Sequence, residues 1–261
     1  MEDHRVAIYD PVLVAPPDGL PFATIGTTTL GCTAGQLNIP RAAFVTPLGQ
    51  VVVADTNNNR VLIWESIGDG GPLGPATVVL GQTTKDTCKP NDFNGDGTPE
   101  STPRAETLNG PSAVWSDGVQ LIVADRNNHR VLIWDTFPTR DFQAPKYVLG
   151  QPNFLTNQPN AGLATPTAST FSGPMSIDVS HTGELAVVDR SNNRVLIWDA
   201  IPSGDTQAAD QVIGQPDMVS GRARPTSGKT LSGVSGVRFD GRNMIVTDSS
   251  NNRVVVFRAL D

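Results

Sequence analysis

Short apolar segments occur in pairs along this chain, and each pair is joined by a polar loop. Four such pairs occupy residues 51–64, 121–134, 185–198 and 244–257. The third pair reads LAVVDRSNNRVLIW. Two β-branched runs around a loop that contains Asn predict an antiparallel hairpin. Nearly every position in both runs is apolar, so we expect strands that are covered on both faces rather than half-exposed strands.

Two further strands are predicted around each hairpin. One precedes the hairpin and turns at a glycine, and the other follows it and ends in a glycine. Arg60 of one hairpin lies 21 residues before Gly81, and Arg130 of the next lies 20 residues before Gly150. Each unit therefore has four strands, which we name A to D. Four-stranded antiparallel sheets repeated at this spacing predict the blades of a β-propeller.

We expect an all-β protein with one β-propeller domain over residues 1–261, built from four-stranded antiparallel blades. The predicted parts are N-terminal C and D strands at 4–26, complete blades at 37–81, 108–150 and 171–214, and a last blade at 231–257 without its own D strand. They supply seventeen strands for four to five blade positions. Because an unpaired strand edge is a template for another chain, we expect either part of a larger ring or a subunit whose ring is completed by another copy.

The four hairpin loops share one order of polar residues. An apolar strand is followed by Asp, two other residues, Asn, one residue and Arg, and then by the next apolar strand. This pattern resembles the NHL-repeat β-propeller family, and the resemblance covers nearly the whole chain. It implies a propeller fold, commonly with six blades. The chain departs from the family because its repeats are longer and are too few for six blades.

The Asp and Arg residues of this pattern are candidate site residues. They are Asp55, Arg60, Asp125, Arg130, Asp189, Arg194, Asp248 and Arg253, with Asn58, Asn128, Asn192 and Asn251 between them. One interpretation is a ring of acids around the propeller axis that holds a cation or a polar ligand. The other is a structural turn ladder, in which Asp accepts backbone N–H bonds and Arg pairs with it or with a neighbouring blade. Repetition in every blade favours the structural ladder, because a binding site usually breaks the symmetry.

The loops between a D strand and the next A strand vary most in length. The interval from the D-strand glycine to the Leu or Phe before the next A strand is 11 residues after Gly26 and 27 residues after Gly81. In an antiparallel blade these D–A loops share a face with the hairpin turns. Variable loops on a rigid scaffold usually carry binding. We therefore predict a non-enzymatic interaction scaffold that binds a protein or a glycan through this face.

The alternative is a propeller enzyme, a lactonase-like or amidating-lyase-like hydrolase or lyase with a metal near the central channel. The chain has three histidines, His4, His129 and His181. We expect His129 and His181 on opposite faces, which does not support zinc ligation by three histidines. The sequence shows neither a Gly-x-Ser-x-Gly elbow nor a nucleophile paired with histidine. The enzyme is therefore the less favoured hypothesis.

The longest D–A loop contains a candidate calcium site, and calcium is the one cofactor that the sequence indicates. Its predicted ligands alternate along DFNGDGTPE and are Asp92, Asn94, Asp96, Thr98 and Glu100. This spacing is similar to that of Asp-x-Asn-x-Asp-Gly calcium loops. The twelfth position is Pro103, where an EF-hand needs glutamate, so Glu100 or Glu106 would have to complete the shell. A solvated loop without an ion is the alternative.

The two cysteines, Cys32 and Cys88, lie in the D–A loops of adjacent blades. A disulfide requires Cα atoms within about 7 Å of each other, and equivalent points of neighbouring blades are usually farther apart. We therefore expect two free thiols. A bridge would instead indicate an oxidising compartment.

The net charge of −7 argues against a nucleic-acid partner, because such partners need a basic surface. No apolar run approaches the roughly 20 residues of a membrane span. The start at Met1–His4 lacks the basic and apolar regions of a signal peptide. This leaves a cytosolic protein or one whose leader is not part of the sequence, and a secreted, periplasmic or cell-surface location is slightly favoured.

Overall fold

The computed structural model describes residues 4–9, 21–68 and 70–258, which contain strands and short 3-10 turns. The strands are β1 (His4–Ile8), β2 (Ala23–Thr27), β3 (Ala42–Val45), β4 (Val51–Asp55), β5 (Arg60–Trp64), β6 (Gly71–Pro72), β7 (Val78–Leu80), β8 (Pro111–Ser116), β9 (Leu121–Asp125), β10 (Arg130–Trp134), β11 (Tyr147–Leu149), β12 (Pro174–Val179), β13 (Leu185–Asp189), β14 (Arg194–Trp198), β15 (Gln211–Ile213), β16 (Val234–Asp240), β17 (Asn243–Asp248) and β18 (Arg253–Arg258). The 3-10 turns are Thr56–Asn58, Arg126–Asn128, Pro159–Gly162, Arg190–Asn192 and Ser249–Asn251. Over the described ranges, no helix has the length and apolar character to span a bilayer.

The strands form five sheets that follow one another along the chain. Three of them are four-stranded and antiparallel: β3-β4-β5-β7, β8-β9-β10-β11 and β12-β13-β14-β15. The last sheet is β16-β17-β18, and the first is β1-β2-β6. The prediction of an all-β fold with four-stranded antiparallel blades is confirmed.

The first sheet contains one strand that the sequence does not predict. Strand β6 comes from the C–D connection of the first complete blade, and it pairs in parallel with β2, with Ala23 opposite Gly71. The Gly71 N–H donates to the Phe22 carbonyl at 2.7 Å, and the Leu73 N–H donates to the Thr24 carbonyl at 2.8 Å. A two-residue strand is too short to carry a hydrophobic period, so its pairing follows from where the connection crosses the edge of β2.

Every residue of the B and C strands in the three complete blades is buried. Alternate side chains of one strand pack against different neighbours. Leu132 and Trp134 of β10 belong to the apolar cluster shared with the preceding blade, whereas Val131 and Ile133 belong to the cluster shared with the following blade. A strand with a sheet on each side needs apolar residues at every position, which explains the uninterrupted apolar runs.

The last sheet differs because one of its faces is open. Val254 and Val256 of β18 are 62% and 59% exposed, whereas the corresponding Val131 and Ile133 of β10 are fully buried. Within the three described ranges, no strand pairs with the outer edge of β18, and no apolar cluster joins the last sheet to the first. An open strand edge can pair with another chain. Completion of the ring by further strands therefore stays a prediction.

Candidate functional site

The Asp, Asn and Arg of each hairpin form one compact group. Asp125 Oδ1 accepts the backbone N–H of Asn109 at 2.7 Å. Its Oδ2 accepts Arg130 Nε at 2.7 Å and Asn128 Nδ2 at 2.8 Å. The other pairs have Nε–Oδ2 distances of 2.7–2.8 Å and are Asp55–Arg60, Asp189–Arg194 and Asp248–Arg253. Each carboxylate thus faces donors of its own unit rather than the other three carboxylates.

The remaining nitrogen atoms of each arginine in the complete blades reach two D–A loops. Arg130 Nη2 donates to the carbonyls of Arg104 and Thr107, at 3.0 and 2.8 Å, in the loop before its blade. Its Nη1 donates to the Phe154 carbonyl at 2.7 Å in the loop after its blade. The arginines of the two other complete blades make bonds of the same kind. One buried guanidinium therefore fixes a hairpin and the bases of two loops.

Backbone pairing also closes the long loops at their bases. Isolated parallel bridges join Gly81 to Thr107, Gly150 to Thr170, and Gly214 to Thr230. The bridge at Gly150 requires glycine, because its φ is +90° and a Cβ there would lie 2.2 Å from the Phe171 ring. Each of these loops therefore leaves the blade and returns to it at nearly one point.

A glutamine that recurs after three of the D strands, and that the sequence did not indicate as a site residue, also binds the backbone at the loop bases. Gln82, Gln151 and Gln215 directly follow the D-strand glycines. Gln82 Nε2 donates to the carbonyls of Asn59 in the hairpin turn and Lys89 in the loop, at 3.0 and 2.8 Å. The recurrence of Gly-Gln after three D strands is the sequence signal that identifies these residues.

Burial and pairing have opposite effects on the carboxylates of the ladder. In Asp189, burial raises the pKa and outweighs the lowering by Arg194. In Asp248, burial acts in the same direction, but hydrogen bonds from Asn251, Ser232 and Arg253 outweigh it and lower the pKa. The Arg253 side chain is 27% exposed and that of Arg194 is fully buried. The last sheet thus holds the most solvated ion pair of the four.

The residue before each hairpin arginine connects neighbouring blades. Asn59 and His129 occupy this position with a left-handed backbone, at φ of 54° in both cases. Asn59 Oδ1 accepts the N–H of Gly110 at 2.9 Å, and His129 Nδ1 accepts the N–H of Gly173 at 2.9 Å. Each acceptor thus fixes the residue directly before the A strand of the next blade, which is β8 for Asn59 and β12 for His129.

We expect His129 to make the stability of the protein pH-dependent. Burial lowers the pKa of His129 below its ordinary value of 6.5, and a proton on Nδ1 removes the acceptor for Gly173. The unfolded chain takes up this proton more readily, so the contribution to stability is complete above about pH 6.5 and is lost as the pH falls through the folded-state pKa. Melting temperatures at about pH 7.5 and 5 should differ more for the wild type than for H129N, which installs the asparagine of the other hairpins. Equal pH dependence in both proteins would contradict this role.

The longest D–A loop brings three carboxylates together. Ligand oxygens of Asp92, Asp96 and Glu100 lie within 4.8 Å of one another, the one group of its kind in the described part of the chain. Asp92 is fully buried and accepts the N–H groups of Gly95 and Gly97 at 2.7 and 3.0 Å. Glu100 Oε2 is buried without a hydrogen-bond partner. None of the ion pairs among the described residues involves these three carboxylates.

The two other predicted ligands bond to Asp96. The Thr98 N–H donates to Asp96 Oδ1 at 2.8 Å and Asn94 Nδ2 donates to Oδ2 at 3.0 Å. The bonds from Thr98 have the largest effect, and together with the bond from Asn94 they lower the pKa of Asp96. Of the two glutamates that the sequence leaves open, the structure places Glu100 beside the aspartates, because its N–H donates to the Pro90 carbonyl at 3.1 Å inside the loop.

The expectation of two free thiols is wrong. Cys32 and Cys88 form a disulfide, with Cα atoms 6.1 Å apart, which is within the usual geometric limit. The two loops approach because Arg60 Nη1 donates to the carbonyls of both Cys32 and Lys85. Equivalent positions of neighbouring blades alone would hold the cysteines farther apart, so the bridge depends on the long loop folding back toward Cys32. Disulfides are typical of oxidising compartments.

The inner strands β3, β8, β12 and β16 line a central channel. His181 lies at the A–B turn end of this channel, whereas His129 lies in a hairpin turn at the opposite end. The one group of three acidic, histidine or cysteine ligands among the described residues is in a loop. Among the described residues, the channel therefore contains no group of three such ligands.

Comparisons with known proteins support the fold. Residues 37–64 match the family model described as NHL repeat, and no curated protein sequence matches the chain. The periplasmic gluconolactonase PpgL of Pseudomonas aeruginosa is similar in structure, with a TM-score of 0.54 and 15% identity over 97% of this chain and 59% of that one. A chain of a humanized mutant of the Chaetomium thermophilum Polycomb Repressive Complex 2 is also similar in structure, with a TM-score of 0.52. The two chains are 10% identical, and the match covers 98% of this chain and 45% of that one. At this identity the similarity shows the fold alone.

The family match falls on the first complete blade. Its Asp55, Asn58 and Arg60 form the buried group that three further hairpins repeat. The chain spans about three fifths of the gluconolactonase and less than half of the Polycomb protein chain. The resemblance to NHL-repeat propellers that the sequence indicated is confirmed by this match, which covers residues 37–64 of the first complete blade.

Proposed function

We propose that the chain is a non-enzymatic interaction scaffold that binds a protein or a glycan through its D–A loop face. This face consists of the loops at residues 27–36, 82–107, 151–170 and 215–230 together with the hairpin turns. The observation that carries the proposal is the construction of the loops. Long segments of unequal length stand on bases fixed by parallel bridges and arginine bonds.

A fixed loop base favours binding for an energetic reason. Ordering a loop on association costs conformational entropy, and a loop that is held beforehand loses less. The same loops also expose large apolar side chains: Leu30 at 55%, Phe93 at 37%, Leu155 at 53%, Leu163 at 52% and Val219 at 57%. Apolar groups on otherwise polar exposed loops are suited to the contact area of a partner.

Deleting residues 156–164 shortens the 152–170 loop to the length of the 27–36 loop and keeps the carbonyls of Phe154, Thr167 and Thr170, which accept bonds from Arg130 and Arg194. This deletion should remove partner binding and leave the blades folded. Loop length has a small effect on stability, about 0.6 kcal/mol per doubling, so the melting temperature should change little. The wild type and the variant are compared by protein pull-down and on a glycan array. The control is L48S/V119S, because Leu48 and Val119 are 68% and 60% exposed on A–B turns of the opposite face.

A partner that the shortened protein and the control both retain would contradict binding through the 152–170 loop, and the test then moves to the 82–107 loop. A partner retained by both shortened proteins and lost by the control would move the binding face to the A–B turns. The two assays separate the proposed partners, since only a glycan ligand gives a signal on the array.

We also propose that the longest loop holds a calcium ion through Asp92, Asp96 and Glu100, with Asn94 and Thr98 beside them. Three carboxylates within 4.8 Å repel one another unless a cation neutralises them. The unpartnered Glu100 Oε2 is costly to bury, and an oxygen-binding cation satisfies it. Calcium accepts six to eight oxygen ligands in flexible geometry. A bound ion would brace the longest loop of the proposed face.

Calcium should therefore stabilise the chelator-treated protein. The expected gain is about 2.7 kcal/mol at a calcium concentration one hundred times the dissociation constant, seen as a higher melting temperature and slower proteolysis of residues 88–104. D96N should abolish most of the gain without harming the fold, because Asp96 is exposed, and D240N at the exposed end of β16 is the matched control. An unchanged melting temperature at millimolar calcium would contradict the site.

A further inference from the structure

One position of the inner strands carries a different residue in every blade. Phe44 of β3 pairs with Val52, and Trp115 of β8 pairs with Ile122. Asp178 of β12 pairs with Ala186, and Arg238 of β16 pairs with Ile245. Each of these four B-strand partners stands three residues before the hairpin aspartate. Phe44, Trp115, Asp178 and Arg238 are therefore equivalent positions of the repeat.

These four side chains line one cavity of about 250 Å³ at the A–B turn end of the channel. Two neighbouring positions form an aromatic half, in which the Phe44 and Trp115 ring centroids are 6.3 Å apart. The two others form a polar half, in which Arg238 Nη1 lies 3.3 Å from Asp178 Oδ1. The N–H of Phe239 donates to Asp178 Oδ2 at 2.6 Å and fixes the carboxylate.

Stabilisation of the fold does not explain this variation. Where the repeat needs a residue for its structure, as with the hairpin Asp and Arg, all four copies keep it. At the channel position Asp178 is 4% exposed, although burying a carboxylate is costly without specific partners. Burial raises the pKa of Asp178 despite the bonds from Phe239 and Arg238. Perturbed titratable groups in a cavity beside apolar side chains are typical of ligand sites.

We propose that this channel-mouth pocket, formed by Phe44, Trp115, Asp178 and Arg238, binds one sugar ring of a carbohydrate. A sugar ring has an apolar C–H face that packs against aromatic rings and hydroxyl groups at its edge. Asp178 accepts hydrogen bonds from such hydroxyls, and Arg238, whose side chain is 69% exposed, donates to them. Each hydroxyl can donate to the carboxylate and accept from the guanidinium at once, which suits a paired Asp and Arg.

The size and charge of the pocket narrow the ligand further. The volume of about 250 Å³ at the channel mouth lies just below the 300–1,000 Å³ of sites for drug-sized ligands, so this cavity holds one ring. The same four residues also line the next part of the channel, into which the rest of a longer carbohydrate could extend. The Asp178–Arg238 pair carries opposite charges and does not select a ligand with a large net charge. The pocket opens opposite the D–A loops, so the inference does not depend on the proposed function of that face.

The test is saturation-transfer NMR on the full chain with methyl glycosides of glucose, galactose, mannose and N-acetylglucosamine, followed by titration of those that bind. We expect at least one glycoside to receive saturation at millimolar concentration. D178N and R238A should each raise its dissociation constant at least tenfold, as expected when a charged hydrogen-bond partner is lost. Asn at position 178 keeps the shape of Asp. R238A leaves the buried Asp178 carboxylate without its ion pair and should melt below the wild type, so every protein is titrated well below its own melting temperature.

The matched controls are D217N and R224A, which remove the same charges at exposed positions of the 215–230 loop, away from the residues that line the pocket. They should bind the glycoside as the wild type does. No saturation transfer to any of the four glycosides would overturn the proposal. Glycoside binding that is unchanged in D178N and R238A would also overturn it. Displacement of the glycoside by glycine betaine would overturn it as well, because the pocket would then be assigned to a zwitterionic ligand.

Discussion

Replacing Asp125 by alanine should lower the free energy of unfolding by about 3–5 kcal/mol, measured by denaturant titration. The Arg130 side chain is fully buried beside this carboxylate, so the substitution leaves a buried charge without its partner. It also removes the acceptors for Asn109 and Asn128. We expect this substitution to be among the most damaging in the chain.

The equivalent substitution in the last sheet is a matched control. D248A removes the same bonds, but the Arg253 side chain is 27% exposed and water can solvate it after the loss. We therefore expect D248A to cost clearly less than D125A. Equal losses in the two variants would show that burial of the arginine does not set the cost.

Replacing Ile133 by alanine should cost about 2–5 kcal/mol. The side chain is fully buried in the cluster between the second and third complete blades, so the change removes apolar contact and leaves a cavity. Val256 occupies the same position of the repeat in β18 and is 59% exposed. V256A should therefore cost less than about 1 kcal/mol by the same titration. A loss below 1 kcal/mol for I133A would contradict its placement between blades.

The sequence predicted those parts of the fold that repeat. The hairpins are identifiable because each B and C strand faces a sheet on both sides, so the apolar runs are uninterrupted. Their order with the D-strand glycines then indicates blades. Strand β6 escaped prediction because Gly71 and Pro72 pair with β2 through backbone groups alone, and backbone pairing leaves no side-chain pattern.

The candidate site was only partly predictable. The spacing of Asp and Arg indicated a turn ladder, but the carbonyls that Arg130 reaches belong to loops whose path no local pattern specifies. The same reason explains Cys32 and Cys88, since the loops that carry them are held together by contacts distant in sequence. In the candidate calcium loop, the alternating oxygens of the sequence already indicated Asp92, Asp96 and Glu100, whereas the choice of Glu100 over Glu106 depends on the bond from the Glu100 N–H to the Pro90 carbonyl.

The channel-mouth pocket could not be found from single strands. Phe44, Trp115, Asp178 and Arg238 are equivalent only when the inner strands are aligned through their pairing with the B strands. In three of the four inner strands, a register shift precedes the residue that lines the pocket. The shift changes the number of residues between the start of the strand and the pocket residue, so counting along the sequence does not align the four positions. Bulges of this kind often re-aim side chains near functional sites.

Our central claim is that the D–A loops stand on fixed bases and present their outer parts to a partner. Amide hydrogen exchange on the wild-type protein, alone and with a partner captured by it, tests this claim most directly. We predict slow exchange at the loop bases near Thr107 and Thr170 in the free protein, fast exchange in the outer loop, and partner protection confined to the outer loops. Fast exchange throughout these loops, or protection at the A–B turns instead, would contradict the account.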